Sequence, residues 1–234
     1  YVQLGNNADQ SVVQSKALDD TTGVVITWTE QSDRLTIDFS DFNDPSALPI
    51  TFQDTSQADS DTLTISGKDN TTWNIDDANT GSAEAVTFSG MENLAGNPAE
   101  TNTLDFSAVT ADLIFTIEAA GVASVAGDGN SLNYSATGMD ALIGGGGANR
   151  FAFEDGAAFA GSITGGAGGT NTLDYSAYTP VVAVDLGAGT ATGTTGISHF
   201  RNVIGGAGDD ILTGDASDNM IEGGSGADTL AGGY

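Results

Sequence analysis

The sequence predicts an all-β protein built as a right-handed parallel β-solenoid (a β-helix or β-roll), in which successive coils of the chain stack on one another. Two observations lead to this fold class. One is a strict nine-residue repeat at the carboxyl end, and the other is a triplet that recurs through most of the chain. A fixed short period is typical of coil-by-coil solenoids, and right-handed crossovers are the rule between parallel strands.

The composition agrees with many short strands joined by tight turns. The 234 residues include 33 glycines and only 4 prolines, and Gly, Asp, Asn, Ser and Thr are abundant. Glycine permits tight turns, and this mixture argues against long helices. The chain has no cysteine, so disulfides do not support the fold, and bound metal is another source of stability.

The strength of the repeat pattern divides the chain into three predicted parts. Residues 1–30 carry the weakest pattern and are expected to form a leading strand or a cap, because residues 24–29 alone have strand composition there. Residues 31–200 are expected to form an irregular parallel solenoid. Residues 201–234 are expected to form a regular roll that continues past the last residue, since Gly232 and Gly233 open another repeat.

The recurring triplet consists of Asp or Asn, then any residue, then a large apolar residue. A coil of about 18–22 residues explains most of the spacings between copies as one or two coils. Three extended copies place Leu two residues before Phe or Tyr, so that both lie on one strand face. We expect these side chains to form an inner ladder. The triplets begin at Asp33, Asp61, Asn102, Asn130, Asn149, Asn171, Asp210, Asn219 and Asp228, and the extended copies are those at Asn102, Asn130 and Asn171.

The charge of the chain restricts its partners. There are 32 acidic residues against 5 basic ones. Nucleic acid and anionic membrane are disfavoured as direct partners, because binding them needs a basic surface. No run of apolar residues is long enough to span a membrane. The acid excess is consistent with a solvated extracellular surface or with cation binding, and the aspartates fixed to the glycine repeat need a separate explanation.

The terminal repeat places acidic residues in register. Its units GGAGDDILT, GDASDNMIE and GGSGADTLA begin at residues 205, 214 and 223, with Asp or Asn sixth and a large aliphatic residue eighth. Residues eighteen apart lie in register in a two-sided coil, so we expect Asp210 to stack on Asp228. Two carboxylates about 5 Å apart repel by about 1 kcal/mol in water and by more at lower dielectric. A cation between the loops would remove this repulsion.

The glycines and the sixth-position side chain together predict the kind of cation. Glycine lets the loop turn its carbonyl oxygens inward. Carbonyls and one carboxylate from each of two loops form an oxygen-only site, which suits Ca²⁺ better than Mg²⁺, and the chain offers no His/Cys set for zinc. Asn in the sixth position keeps an oxygen but loses the charge. The turns of Asn219 and Asn149 are therefore expected to be weaker or merely structural.

The units at 205 and 223 resemble the nonapeptide GGxGxDx(L/I/F)x of the RTX, or repeats-in-toxin, calcium-binding family. The resemblance is specific over 205–233, good at 144–152 and diffuse across 30–200. It implies Ca²⁺ bound between consecutive loops on one side of a parallel β-roll, type I secretion, and folding on meeting extracellular calcium. The implied ligands are Gly205, Ala207, Asp209, Asp210, Gly223, Ser225, Ala227 and Asp228, with Asn219 and Asn149 as further candidates.

The second unit departs from the family pattern. It has Asp215 in place of the second glycine and Ser217 in place of the fourth. Its sixth residue is Asn219 and not Asp. A calcium site on that side of the roll, between this unit and the loop at Gly232, is therefore disfavoured.

Three functional hypotheses follow. The first is a non-enzymatic, calcium-stabilised solenoid segment of a large secreted cell-surface or extracellular protein, such as an S-layer, adhesin or fibre, whose copies assemble with one another. The second is the export and folding module of an RTX exoenzyme such as a protease or lipase. The third is a β-helix that acts on acidic polysaccharide.

The residues that an enzyme would need are sparse. A polysaccharide-cleaving site needs clustered Lys, Arg or His. His199 lies beside Ser198 and not far from Asp185, but no GxSxG turn surrounds a serine, so we expect no catalytic residues. The Asp44-Pro45 bond is interpreted as a turn and not as a self-cleaving bond. Trp28 and Trp73 are interpreted as core residues and not as sugar platforms.

Overall fold

The computed structural model of the chain describes residues 2–5, 12–16, 23–28, 34–40, 49–54, 60–77, 79–118, 123–127 and 130–233. These residues contain β-strands, turns and bends and no helix, and therefore no helix that could cross a membrane. The first strands are β1 (Val2–Gly5), β2 (Val12–Lys16), β3 (Val24–Trp28), β4 (Arg34–Asp38), β5 (Ile50–Asp54), β6 (Thr62–Ser66), β7 (Asn70–Asp77), β8 (Thr80–Ala83) and β9 (Val86–Ser89).

The later strands become shorter toward the carboxyl end. In the middle of the chain they are β10 (Asn93–Gly96), β11 (Thr101–Asp105), β12 (Leu113–Ile117), β13 (Ala123–Gly127), β14 (Asn130–Thr137), β15 (Ala141–Ile143), β16 (Arg150–Phe153), β17 (Ser162–Thr164) and β18 (Thr172–Asp174). The last strands are β19 (Ala183–Asp185), β20 (Thr190–Ala191), β21 (Gly196–Ser198), β22 (Asn202–Ile204), β23 (Ile211–Thr213), β24 (Met220–Glu222) and β25 (Thr229–Ala231).

The described strands form two long sheets, one short sheet and a separate antiparallel pair of β1 and β2. Sheet I has the spatial order β4-β6-β10-β14-β13-β12-β16-β18-β22-β24. Sheet II has the order β3-β5-β9-β8-β7-β11-β15-β17-β21, and sheet III has the order β20-β19-β23-β25. The chain alternates between sheets I and II for most of its length and between sheets I and III at the carboxyl end.

Parallel pairing in register stacks like residues on one another and confirms the prediction of an all-β parallel solenoid. In sheet I, one column of paired residues runs from Phe115 through Phe151, Leu173 and Val203 to Ile221. The first four of these side chains are fully buried. Each added coil therefore extends one continuous apolar core and does not build a new one.

The coil length varies along the chain. Leu173 follows its partner Phe151 by 22 residues, and Ile221 follows Val203 by 18. Other coils are longer, since Leu63 follows its partner Leu35 by 28 residues and Val203 follows Leu173 by 30. The expected coil of about 18–22 residues is therefore right for some coils and wrong for others, in which longer connections join the paired strands.

Two antiparallel insertions interrupt the parallel stacking. In sheet II, β7, β8 and β9 form a meander, and in sheet I, β12, β13 and β14 form another. The turn residues Asn79 and Glu84 take positive φ values of 51° and 53°, next to the ends of β8. The alternating apolar pattern does not distinguish these strands from parallel ones, because side chains alternate between faces in both kinds of sheet.

The triplets do not form one ladder, because the copies are divided among the sheets, although some successive copies pair directly, such as Phe151 with Leu173 in sheet I. Leu63 lies in sheet I and Leu104 in sheet II, and both are fully buried. The aromatic residues Phe106 and Tyr175 of the extended copies are also fully buried, as expected for an inner core. The side chains of the copy at Asn130, the residue Asp33 and the Asp44-Pro45 bond lie outside the described residues.

Stacked aromatic rings connect successive coils. The rings of Phe115 and Phe151 are parallel within 3° with centroids 4.2 Å apart, and those of Phe153 and Tyr175 are 4.5 Å apart at 14°. Stacked aromatic pairs add about 0.5–1.5 kcal/mol beyond the burial of their area. Trp73 is fully buried, which confirms its interpretation as a core residue, whereas the side chain of Trp28 lies outside the described part.

Truncating the central ring of this column should weaken the whole solenoid. We expect Phe151→Ala to destabilise the protein by about 3–5 kcal/mol, because it opens a cavity between Phe115 and Leu173. The measurement is the denaturant unfolding midpoint in calcium. Ile114→Ala is the matched control: this side chain lies on β12 beside the column but is 44% exposed, so its loss should change stability by less than about 0.5 kcal/mol. Equal effects of the two substitutions would contradict the core assignment.

Candidate metal centre

Two glycine turns lie against each other at the carboxyl end of the solenoid. Residues 205–210 connect β22 to β23, and residues 223–228 connect β24 to β25. The strands that follow pair in register, with Ile211 opposite Thr229. The backbone N–H of Asp210 donates to Asp228 Oδ1 at 3.0 Å. The predicted stacking of Asp210 on Asp228, eighteen residues apart, is therefore present in the structure.

The Asp210 carboxylate is buried and is bound only by backbone donors. Gly206 N–H donates to Oδ2 at 2.6 Å and Val182 N–H donates to Oδ1 at 2.8 Å. The side chain is fully buried. In the described residues neither Asp210 nor Asp228 forms an ion pair with a basic side chain. Two stacked carboxylates thus lack a cationic side-chain partner.

Glycine is required where oxygen atoms of the two turns approach each other. A Cβ on Gly205 would lie 2.3 Å from the carbonyl oxygen of Gly223 and 2.5 Å from Asp210 Oδ2. A Cβ on Gly224 would lie 2.2 Å from the carbonyl oxygen of Gly206, and Gly224 has a φ of 89°. Carbonyl and carboxylate oxygens from both turns therefore converge on this space, as a calcium site requires.

Main-chain oxygens supply most of this donor set. The described residues contain no cluster of three or more His, Cys, Asp or Glu side chains that could hold a metal ion. A site built on side chains alone is therefore not available in this part of the chain. The donor set consists of hard oxygens, which suits Ca²⁺ and does not suit zinc or other metals that prefer nitrogen or sulfur.

Most of the sequence-predicted ligands lie in these two turns. Asp209 Oδ1 accepts a bond from Ala227 N–H at 2.8 Å, and Ser225 N–H donates to the Gly206 carbonyl at 2.9 Å. Ala207 N–H donates instead to Tyr178 in the preceding coil. The turns thus bring Gly205, Asp209, Asp210, Gly223, Ser225, Ala227 and Asp228 together, and the role of each residue as a metal ligand stays a prediction.

The two asparagines proposed as weaker ligands lie in other turns. Asn219 precedes β24, where its Oδ1 accepts from Asp215 N–H at 2.8 Å and its Nδ2 donates to the Arg201 carbonyl at 3.1 Å. Asn149 precedes β16 and is almost fully buried. Sequence reasoning missed Val182, whose N–H binds Asp210 from 28 residues upstream. That residue belongs to an irregular coil and carries no motif.

The comparison with protein families identifies the repeat. Residues 202–233 match the family described as RTX calcium-binding nonapeptide repeat (4 copies). Residues 202–233 are RTX repeats. The resemblance to this family and the prediction of Ca²⁺ as the bound metal are thereby confirmed for this segment. A search of curated proteins found no match.

The RTX repeats border a cleft that contains the single histidine. The cleft, with a volume of about 300 Å³, is lined by residues that include His199, Arg201 and Asp215. His199 Nδ1 lies 3.3 Å from Ser198 Oγ, and no carboxylate hydrogen-bonds to His199 in the part of the chain that the structure describes. Asp185, the third residue of the triad considered above, accepts from Ala188 N–H. Among the described residues, Ser198, His199 and Asp185 therefore do not form a hydrogen-bonded Ser-His-Asp arrangement.

Local hydrogen bonds lower the pKa of Asp215 at the edge of this cleft. The backbone N–H of Ser217 donates to Asp215 Oδ1 at 2.8 Å. This bond is the main reason that the pKa of Asp215 lies below its ordinary value, and nearby Asn219 and Arg201 lower the pKa further. Asp215 occupies the position of the second glycine of its unit, so this turn uses a carboxylate to bind its own backbone.

A glycine substitution in the RTX turns tests their close packing. Gly224→Ala should destabilise the protein by about 1–3 kcal/mol, because its Cβ would meet the Gly206 carbonyl and its φ of 89° disfavours any side chain. Gly232→Ala is the control, since a Cβ there would meet no atom within 4 Å. Thermal unfolding in calcium measures both variants. A Gly224→Ala protein as stable as Gly232→Ala would argue against this packing.

Proposed function

We propose that this chain is a non-enzymatic, calcium-stabilised β-solenoid segment of a large secreted cell-surface or extracellular structural protein, such as an S-layer protein, adhesin or fibre. It folds on binding Ca²⁺ after export, by the type I route. RTX repeats are typical of secreted proteins, which supports an extracellular location. The irregular solenoid supplies length and the RTX coils supply the dependence on calcium.

The observation that carries this proposal is the continuity of sheet I. The sheet passes from the irregular coils through β16 and β18 into β22 and β24, and the last two strands lie inside the RTX segment. Phe151, Leu173, Val203 and Ile221 form one column across this junction. The RTX segment therefore continues an elongating scaffold and is not attached to it through a linker, as an independent export module would be.

The electrostatics support folding after export. With 32 acidic and 5 basic residues, the chain has a formal net charge of −27. Self-repulsion on this scale disfavours compaction unless cations neutralise it. At about 1 mM calcium and a dissociation constant of about 0.1 mM, each site stabilises the folded state by about 1.4 kcal/mol. Several coupled sites would supply a substantial part of the free energy of unfolding of a domain, which is about 5–15 kcal/mol.

Two other hypotheses are separated from this one by simple observations. An RTX exoenzyme would carry a zinc-protease or lipase motif elsewhere in the full-length gene, whereas a scaffold would carry further β-repeats. An enzyme that cleaves acidic polysaccharide would use the cleft at His199 and Arg201. A reducing-end assay on alginate and pectin tests it, and we expect no product.

Calcium removal should unfold the RTX coils. In EGTA we expect the thermal midpoint to fall, because the stacked Asp210 and Asp228 lose their counter-ion.

Asp228→Asn keeps an oxygen that can accept the Asp210 N–H but removes one charge, so calcium affinity should fall about tenfold, equivalent to about 1.4 kcal/mol. Asp76→Asn, on an exposed strand position, is the control and should leave affinity unchanged. Calorimetric titration measures affinity, and a midpoint unaffected by EGTA would refute calcium stabilisation.

Assembly of copies is part of the same proposal. The side chain of Met220 projects from β24 in the RTX segment and is about half exposed. Exposed apolar side chains favour association with other chains. We expect calcium-dependent association in sedimentation velocity, reduced by Met220→Lys and unaffected by Ile114→Lys on an inner strand. A monomer at all protein concentrations in calcium would contradict assembly.

A further inference from the structure

The turn at residues 144–149 has the RTX frame but a different sixth residue. Gly144 begins the unit, Asn149 is sixth and Phe151 is eighth. A Cβ on Gly144 would lie 2.4 Å from the carbonyl oxygen of Gly165 in the next coil, just as a Cβ on Gly205 would lie 2.3 Å from that of Gly223. The two turns therefore pack against their next coils with the same backbone approach.

The Asn149 amide nitrogen lies among four oxygen acceptors. Nδ2 is 3.0 Å from the Gly145 carbonyl, 3.0 Å from the Gly147 carbonyl, 2.8 Å from the Gly165 carbonyl and 3.0 Å from Asn171 Oδ1. These oxygens come from two consecutive coils. An –NH₂ group has two hydrogens, so the bonds are shared, and its partial positive charge lies at the centre of the acceptors.

We propose that the Asn149 amide takes the place of a calcium ion in this turn, so that the coils of the irregular solenoid hold their turns together without metal. The inference rests on the proposed calcium site at Asp210. An amide and a metal ion satisfy the same need, because carbonyl oxygens that converge in a buried space must have a positive partner. Of the two roles that the sequence left open for the turn of Asn149, a weaker calcium site or a merely structural turn, this proposal favours the structural one.

The Asp210 turn shows the opposite arrangement. A carboxylate has no hydrogen to donate, and both oxygens of Asp210 accept bonds, from Gly206 N–H and Val182 N–H. The Gly206 carbonyl accepts a bond from Ser225 N–H instead, and the Gly223 carbonyl beside Asp210 receives no donor from the sixth side chain. Asn carries an –NH₂ group where Asp carries a second carboxylate oxygen, so only Asn can donate hydrogen bonds to the carbonyls of its turn.

Other asparagines at the same triplet position also donate to turn carbonyls, Asn171 between two coils and Asn102 within its own turn. Asn171 Nδ2 donates to the Gly166 carbonyl at 3.1 Å and to the His199 carbonyl of the next coil at 2.9 Å. Asn102 Nδ2 donates to the carbonyls of Asn97 at 2.9 Å and Glu100 at 3.1 Å. Both side chains are buried. The amide therefore recurs at Asn102, Asn149 and Asn171 in the upstream coils. Acids stand at the triplet position in the RTX turns of Asp210 and Asp228, and also upstream at Asp33 and Asp61.

Hydrogen exchange of the intact chain tests the inference without any substitution. With EGTA in place of calcium, we expect the amides of residues 205–231 to lose protection while those of residues 144–153 keep it. Loss of protection in both regions to the same extent would overturn the amide proposal. Full protection of residues 205–231 in EGTA would instead contradict the proposed calcium function, so the two failures are distinguishable.

The substitution Asn149→Asp should turn the loop at residues 144–149 into a calcium site. The carboxylate would face the carbonyls of Gly145, Gly147 and Gly165 without a donor, so residues 144–153 should lose protection in EGTA and regain it in millimolar calcium. Equilibrium dialysis with ⁴⁵Ca should count one more bound ion per chain than in the parent. Asn70→Asp, which adds the same charge at an exposed strand position, should add no ion and should not change protection.

The outcomes of this substitution are decisive in both directions. An additional calcium ion together with calcium-dependent protection of residues 144–153 supports the proposal. An Asn149→Asp chain that folds with no additional ion overturns it. A chain that stays unfolded at every calcium concentration, while Asn70→Asp folds, also overturns it, because the proposal requires calcium to replace the lost amide.

Discussion

The stacking of glycine turns in register is the constraint on which the rest of the structure depends. Strand stacking at a fixed spacing forces each turn against the next, as Gly205 against Gly223 shows. The apolar columns inside the coils can continue only if the polar atoms of these turns are also satisfied. The sixth residue of each unit meets that requirement, so a single side chain links the core, the turns and the response to calcium.

The acidic side chains make different contacts in the upstream coils and at the carboxyl end. Several carboxylates accept backbone N–H groups between neighbouring coils, as Asp140 does from Asn102 and Asp112 does from Ala148. These carboxylates join neighbouring coils through direct hydrogen bonds to the backbone. At Asp210 and Asp228 the carboxylates are stacked and no basic side chain pairs with either of them in the described residues. The same residue type therefore joins neighbouring coils by hydrogen bonds in the upstream region and, in the proposed calcium site, would bind a cation at the carboxyl end.

An order of folding follows from this distribution. The coils around Asn149 contain their own donors and stacked rings, such as Phe115 with Phe151. The RTX coils contain the stacked acids Asp210 and Asp228, and no basic side chain pairs with either of them among the described residues. Their stability would depend more on the ion, so under the proposed function these coils complete their folding outside the cell. In a solenoid, each coil that folds forms the edge on which the next one pairs.

The sequence alone determined the register of the carboxyl-terminal coils, the kind of metal and the identity of many core residues. A repeat of nine residues fixes which residues lie eighteen apart, so Asp210 and Asp228 could be paired before any coordinates were known. The two meanders, the longer coils and the alternation of triplets between sheets could not be predicted, because an apolar residue at every second position fits parallel and antiparallel strands equally. Only the tertiary structure decided which backbone groups meet each turn. Val182 reaches Asp210 and the Asn149 amide reaches Gly165 through contacts between coils, which no local pattern encodes.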